Sequence, residues 1–379
     1  MSLHPNSVLE RLPSLKLVVI DIRILCDTEH PLSLGPAITR REEFIYIPDR
    51  DADEDTMALN FRTGDGFTVR HLFQDILRLP VLVLSAGAGD EAIYRRRCDA
   101  MRVAELFCGV VDKNAFLQKY VQVHDLALQE ILLFDKNLSP ANPVDYQLAA
   151  SVGLLVGPPE FASSPRVPHV AIAPELHGYI RGFSSRYLES TGPILNYYEQ
   201  TREGKTPLPP ELLSGPRSIR ALVLDIDGSC TDGCRIFSQD GREWKRFGQK
   251  DLQALRHWVA AGKILCFLTG ESNPVVVRWA EACGVDSERN LVQGASHQKV
   301  QHLQRLATQF QLKLGEIAYM GDDTNDLGVL ELISEQNGFA ACPQNAVPQI
   351  LHIPGIHLMP SYGGSGACAD VVAAIAGRT

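Results

Sequence analysis

One apolar phrase occurs twice in this chain. Residues 222–233 read LVLDIDGSCTDG and residues 17–28 read LVVIDIRILCDT, so the run ends in Asp-x-Asp in the second copy and in Asp-x-Arg in the first. An internal repeat constrains the fold more than composition does, because each copy is one structural unit that recurs. Downstream, FRTGDGFTVRHLFQDILRLPVLVLSAG (61–87) matches FGQKDLQALRHWVAAGKILCFLTG (247–270), pairing Phe61 with Phe247, Asp65 with Asp251 and Arg70-His71 with Arg256-His257. EILLFDKNLSPANPV (130–144) then matches EIAYMGDDTNDLGV (316–329), and SVGLLVGPPE matches NGFAACPQNA in the same order.

In both halves, β-rich apolar runs alternate with helical-period segments such as DLQALRHWVAAG and HQKVQHLQRLATQF, the pattern of a parallel α/β sheet. The expected fold class is therefore α/β, as two tandem Rossmann-like domains whose parallel sheets are flanked by helices. Pro, Gly and Ser accumulate in SSRYLESTGPILNYYEQTREGKTPLPPELLSGPRS, which no strand can cross. This gives domains at 1–183 and 217–379, with 184–216 as a linker or packing arm. Each half carries a β-hairpin insertion: RIFSQDGREWKRF turns at Asp240-Gly241, and the longer first-half insertion, from about Thr28 to Asn60, has RREEFIYIP as its strand.

The chain has 379 residues, is 45% hydrophobic and carries a net charge of −9. That size suits about two domains, and that charge argues against nucleic acid as a partner. No apolar stretch approaches the roughly eighteen residues of a membrane span, and the first residues lack a signal-peptide core, so no membrane is expected and the location read is cytoplasmic. Nine cysteines without a CxxC read as buried thiols, Cys230 and Cys234 included, since neither has partners at zinc spacing.

The chemistry concentrates in the second half. In an open parallel sheet, ligands bind beyond the carboxyl ends of the strands, which places Asp225 at the floor of a site. A carboxylate there can attack phosphorus and form an aspartyl phosphate, and Asp227 can protonate the leaving alkoxide and deprotonate water. The hydroxyl of Thr269 and the amides near Gly270, after KILCFLTG, can bond a phosphoryl oxygen, and Lys299 can neutralise it. GDDTND supplies Asp322, Asp323 and Asp326, oxygen donors suited to Mg²⁺. The order acid, hydroxyl, lysine, acid pair favours a hydrolase over a receiver domain, in which the lysine comes last.

These four motifs, DIDGSCTDG, LTG, Lys299 and GDDTND, resemble those of the haloacid dehalogenase superfamily of phosphohydrolases. TDG, the hairpin, FGQKD, GDDTND and the terminal GGSGACADV are similar to the octulosonate and nonulosonate phosphate phosphatases, over about residues 217–377. The resemblance implies a capless domain with Asp225 as nucleophile, Asp227 as general acid/base, and Thr269 and Lys299 as phosphate ligands. It also implies Mg²⁺ on Asp225, on the Asp227 main-chain carbonyl and on Asp322, supported by Asp323 or Asp326. The implied substrate is a small phosphomonoester, a sugar phosphate such as a 2-keto-3-deoxy sugar acid phosphate. Two departures stand out: the family's TGR is Thr269-Gly270-Glu271 here, and a terminal arginine is replaced by Ala369. Lys250 and Arg246 are candidate compensating cations and Gly364 a candidate substrate neighbour, and a neutral sugar phosphate or a silent binding protein remain the alternative readings. Family tetramers associate through their hairpins, so two hairpins per chain imply a homodimer that mimics a four-domain assembly.

In the first half Asp21 is retained, Arg23 stands for the acid/base, Ser85 for the threonine, and Asp135 is the one remaining acid of ILLFDKNLSP, with Lys119 as the match to Lys299. An Arg23–Asp21 ion pair is expected to fill the metal's place and leave no proton donor, which makes this half catalytically dead.

Overall fold

The computed structural model describes residues 5–26, 32–35, 37–41, 43–62, 65–66, 68–87, 89–170, 172, 179–188, 194 and 219–376. The chain forms two compact units, Met1–Leu32 with Met57–Asn196 and Phe237–Gly241, and Ser33–Thr56 with Tyr197–Ile236 and Arg242–Thr379. Of the expected linker, 184–216, only 184–188 and 194 fall among the described residues.

The first unit holds a six-stranded parallel sheet in the order His169–Val170, Leu154–Val156, Ile131–Phe134, Leu17–Asp21, Val81–Leu84, Glu105–Phe107. The second unit's parallel sheet runs His357–Leu358, Phe339–Cys342, Ile317–Met320, Ala221–Leu224, Ile264–Leu268, Leu291–Val292. Counted along each unit, both orders are six, five, four, one, two, three. The order reverses between the first and fourth strands, and the crevice outside the carboxyl ends at such a switch is where open α/β sheets bind ligands.

The central strands are apolar throughout because both faces are covered. In Ala221–Leu224, Leu222 and Leu224 pack with Leu252, Leu255, Trp279 and Val371, while Ala221 and Val223 pack with Val300, Leu303, Leu327 and Leu330. In the first unit Leu17 and Val19 pack with Leu117, Val121 and Leu148.

Contiguous domains are the expectation from sequence, yet residues 33–56 group with the second unit. The physical reason is strand pairing: Phe44–Pro48 runs antiparallel to Glu243–Gly248, with Trp244 opposite Pro48 and Gly248 opposite Phe44, and Thr39–Arg41 pairs on its other side. Cys234–Ser238 and Glu243–Gly248 flank the Asp240-Gly241 turn, where Gly241 has φ +80.

A detail recurs in each unit. Asp251 is buried and its carboxylate accepts from the Gly366 and Ala369 amides, both at 3.0 Å, at the start of the helix Ala367–Ala376. Its repeat partner Asp65, also buried, accepts from the Arg181 amide at 2.7 Å in the helix Tyr179–Phe183. Carboxylates suit such positions because the first amides of a helix lack intrahelical partners.

Candidate active site

The strand Ala221–Leu224 delivers Asp225 to the switch point, where the Asp225 amide still bonds Met320 O at 3.0 Å. Lys299 opens the helix Lys299–Gln309, and its Nζ lies 2.7 Å from Asp225 Oδ1 and 2.7 Å from Asp326 Oδ1. All three side chains are buried. Tyr319 OH donates to the same Asp326 oxygen, and the Asp322 and Asp323 amides donate to Asp326 Oδ2, each at 3.3 Å. Asp326 therefore ties the lysine to the acidic turn, while Asp323 caps that turn by accepting from the Thr324 amide at 2.6 Å.

Among the described residues, Asp225, Asp322 and Asp326 bring carboxylate oxygens within 4.8 Å of one another. Burial pushes the Asp225 carboxyl up to about 7 against the pull of Lys299, and burial followed by repulsion from Asp225 raises Asp322 well above the usual carboxylate range. Burial opposes the Lys299 ammonium, but Asp225 and Asp326 outweigh it and its pKa is raised. Buried, mutually repelling carboxylates held at one point are the donor set of a hard divalent cation, which takes oxygen ligands, so the residues present fit Mg²⁺.

The loop after Asp225 is shaped by close approach. Gly228 has φ +87, and a Cβ there would lie 1.9 Å from Asp322 Oδ2. Its carbonyl accepts from Asn345 Nδ2 at 2.8 Å, and Ser229 Oγ donates to Asp322 Oδ1 at 3.2 Å. Thr231 Oγ1 accepts from the Gly228 and Gly233 amides at 3.2 Å each. Gly228→Ala is expected to displace Asp322 and cost about 10²-fold in turnover, since a shift of about 1 Å in a catalytic arrangement costs that much. Steady-state kinetics with a generic phosphomonoester measures this, and near-wild-type turnover would contradict it.

Asp227, half-buried, accepts from Lys245 Nζ; Lys245 is fully buried on the strand Glu243–Gly248 and also lies 3.6 Å from Glu271 Oε2. Arg235 forms a fork with Glu243 at 2.6 and 2.7 Å and lies 3.6 Å from Glu271. Burial alone would raise the Glu271 carboxyl, but Lys245 and then Arg235 outweigh it and hold it down at about 2. Glu271 thus stands in place of the resemblance's arginine as one member of a compensated charge network.

Thr269 ends the strand Ile264–Leu268, and its Oγ1 accepts from the Glu271 amide at 3.1 Å, which leaves the hydroxyl proton able to donate. A Cβ on Gly270 would meet Ser296 Oγ at 2.6 Å. Gly364, with φ +68, donates its amide to Ser229 O at 3.3 Å and packs against the backbone at Thr231 and Asp232. Arg246 pairs with Asp232 and lies 4.5 Å over the Phe44 ring, whereas Lys250 is exposed. Ala369 contributes its amide to Asp251. Cys230 is buried, 3.6 Å from Cys368 Sγ. Lys245, Arg235, Tyr319, Ser229 and Asn345 are absent from the sequence reading; for Lys245 and Arg235 the reason is that charge on a hairpin strand has no local signature of its partners.

In the first unit the lysine is Lys113, not Lys119. Lys113 opens the helix Lys113–Val123, with Nζ 2.6 Å from Asp21 Oδ2 and also bonded to Asp135. Lys119 lies two turns further along that helix. The expected Arg23–Asp21 ion pair is likewise replaced: the Arg23 backbone amide donates to Asp21 Oδ1 at 2.9 Å, and the Arg23 side chain is exposed.

No family model matches the chain. The 3-deoxy-D-manno-octulosonate 8-phosphate phosphatase of Yersinia pestis is 28% identical over 166 residues, 44% of this chain and 83% of that protein. The Escherichia coli K12 protein of the same name is 26% identical over 165 residues, again 44% and 83%. Among solved structures, the Moraxella catarrhalis 3-deoxy-D-manno-octulosonate 8-phosphate phosphatase, in complex with magnesium ion, phosphate ion and KDO, is 25% identical and covers 48% of this chain and 92% of that one, with a TM-score of 0.39. The Yersinia pestis phosphatase structure is 24% identical and covers 47% and 83%, with a TM-score of 0.38. No helix among the described residues is long and apolar enough to cross a membrane. Over just under half of its length, the chain is thus similar to the 3-deoxy-D-manno-octulosonate 8-phosphate phosphatases.

Proposed function

We propose that the second unit hydrolyses a small sugar phosphate by way of an aspartyl phosphate on Asp225. The observation that carries this reading is the convergence of Asp225, Lys299 and Asp326 at the strand switch point, with Asp322 beside them. Lys299 fixes Asp225 Oδ1, so the carboxylate meets phosphorus in one orientation. Asp227 gives its proton to the leaving alkoxide and then takes one from the water that opens the acyl phosphate. The Thr269 hydroxyl and the Lys299 ammonium bond the phosphoryl oxygens. Asp225, Asp322 and the Asp227 carbonyl would hold Mg²⁺, which when bound supplies charge neutralisation at the phosphoryl group. EDTA is expected to abolish turnover and Mg²⁺ to restore it; turnover that persists through dialysis against chelator contradicts the metal assignment.

The substrate read from the relatives is 3-deoxy-D-manno-octulosonate 8-phosphate, with a nonulosonate 9-phosphate as its near equivalent. A specific observation favours a neutral sugar phosphate instead: Glu271 stands in place of the arginine that the resemblance would use to hold the sugar acid or its phosphate, and Lys245 and Arg235 are already committed to acidic partners. Comparing kcat/KM across both keto-acid phosphates and neutral hexose and pentose phosphates decides between them. A preference of tenfold or more for either class selects it, and turnover of neither overturns the reading.

The shared strand order and the matching Asp65 and Asp251 contacts support a tandem duplication, and Arg23 in the place of Asp227 supports a catalytically silent first copy. The duplication in turn supports a homodimer, which a solution mass measurement tests.

A further inference from the structure

The first unit carries an inverted set of charges at its own strand switch point. Leu17 pairs with Ile131 just as Ala221 pairs with Ile317, and both pairs of strands run on in the same register. Asp21 therefore stands where Asp225 stands, Arg23 where Asp227 stands, Lys136 where Asp322 stands and Asn137 where Asp323 stands.

The acceptors there are spent. Asp21 Oδ1 accepts from the Arg23 amide at 2.9 Å and from Asn137 Nδ2 at 3.3 Å, and Oδ2 from Lys113 at 2.6 Å. Asp135 Oδ1 accepts from the Asn137 amide at 2.8 Å and Oδ2 from Lys113. Among the described residues at this point, both buried carboxylates are thus committed to donors. Arg23 and Lys136 have no carboxylate partner among the described residues, and both side chains reach solvent. Burial pushes the Cys26 thiol up to about 12, and the charges of Lys136, Arg97 and Arg23 pull against that rise.

The balance of charge differs in sign between the units. The second site sets five carboxylates (Asp225, Asp227, Asp322, Asp323, Asp326) against two ammonium groups (Lys245, Lys299). The first sets two carboxylates (Asp21, Asp135) against three cations (Arg23, Lys113, Lys136). Coulomb's law makes the former attractive to a divalent cation and the latter repulsive to one, and a tetrahedral oxyanion meets the reverse. A guanidinium and an ammonium together suit phosphate oxygens.

The geometry points to a second, metal-independent site in the first unit, in which Arg23 and Lys136 bind the phosphoryl group of a phosphomonoester or free phosphate. No bond is made or broken there, since no proton donor faces Asp21 in the place of Asp227. The site stands whether or not the second unit is a phosphatase.

The test is calorimetric titration of the full chain in EDTA, once with inorganic phosphate and once with a sugar phosphate. Saturable binding is expected, weakened at least tenfold in Arg23→Glu/Lys136→Glu, and that loss places it in the first unit. Both altered side chains are solvent-accessible, and thermal unfolding checks that the double variant is folded; Lys136→Met, expected to weaken binding in the same direction, serves if it is not. Tighter binding of the inorganic ion identifies free phosphate as the ligand, and tighter binding of the ester identifies the phosphomonoester. No saturable binding in EDTA, or binding that survives the double variant unchanged, overturns the proposal.

Discussion

Asp225→Asn is expected to lower turnover by more than about 10³-fold while leaving the unfolding midpoint within a few degrees of wild type. An amide of the same shape keeps a bond to Lys299 but cannot attack phosphorus, and removal of a nucleophile costs orders of magnitude in kcat even when binding survives. The ion pair that remains, Lys299 with Asp326, keeps the ammonium compensated. Kinetics at saturating substrate, with circular dichroism on the same preparation, separates chemistry from folding. Residual turnover above a tenth of wild type would remove Asp225 from the nucleophile's role and favour a different reaction at this site.

Lys299→Met is expected to cost both activity and stability. The lysine is buried between Asp225 and Asp326, and its loss leaves two buried carboxylates without their cation. Breaking such a buried pair costs about 3–5 kcal/mol, which for a unit of this size lowers the midpoint by roughly 10 °C. Turnover falls as well, because Asp225 loses its orienting partner. Calorimetry resolves the second unit's transition; a midpoint unchanged within about 2 °C would show that neighbouring groups already compensate those carboxylates.

The strands and the acids at their ends were legible in the chain because a strand buried on both faces is one unbroken apolar run, and the residue that ends it falls at the sheet edge. Asp225, Thr269 and Asp322 follow from that regularity. Asp326 differs from Asp323 only through the turn that aims one at Lys299 and the other at its own backbone, which spacing does not reveal. Lys113 escapes for a similar reason: the helix begins at Lys113, capped by Asp112, whose side chain accepts from the Ala115 amide, six residues before the lysine that the alignment suggests. The partner of Phe44–Pro48 is nearly two hundred residues away in sequence, and nothing local selects so distant a strand. Lys245 and Arg235 become charged neighbours of Asp227 and Glu271 only once their strand is placed.

The pairing of Phe44–Pro48 with Glu243–Gly248 also limits how the molecule can be dissected. A fragment starting at residue 217 would present Glu243–Gly248 as a raw edge, and the strand carrying Lys245, the partner of Asp227, would be free to recruit a foreign strand or to fray. The second compact unit is therefore discontinuous in sequence. Excising it calls for a circular permutation or a fusion that brings residues 33–56 along, rather than a cut at the seam between the repeats.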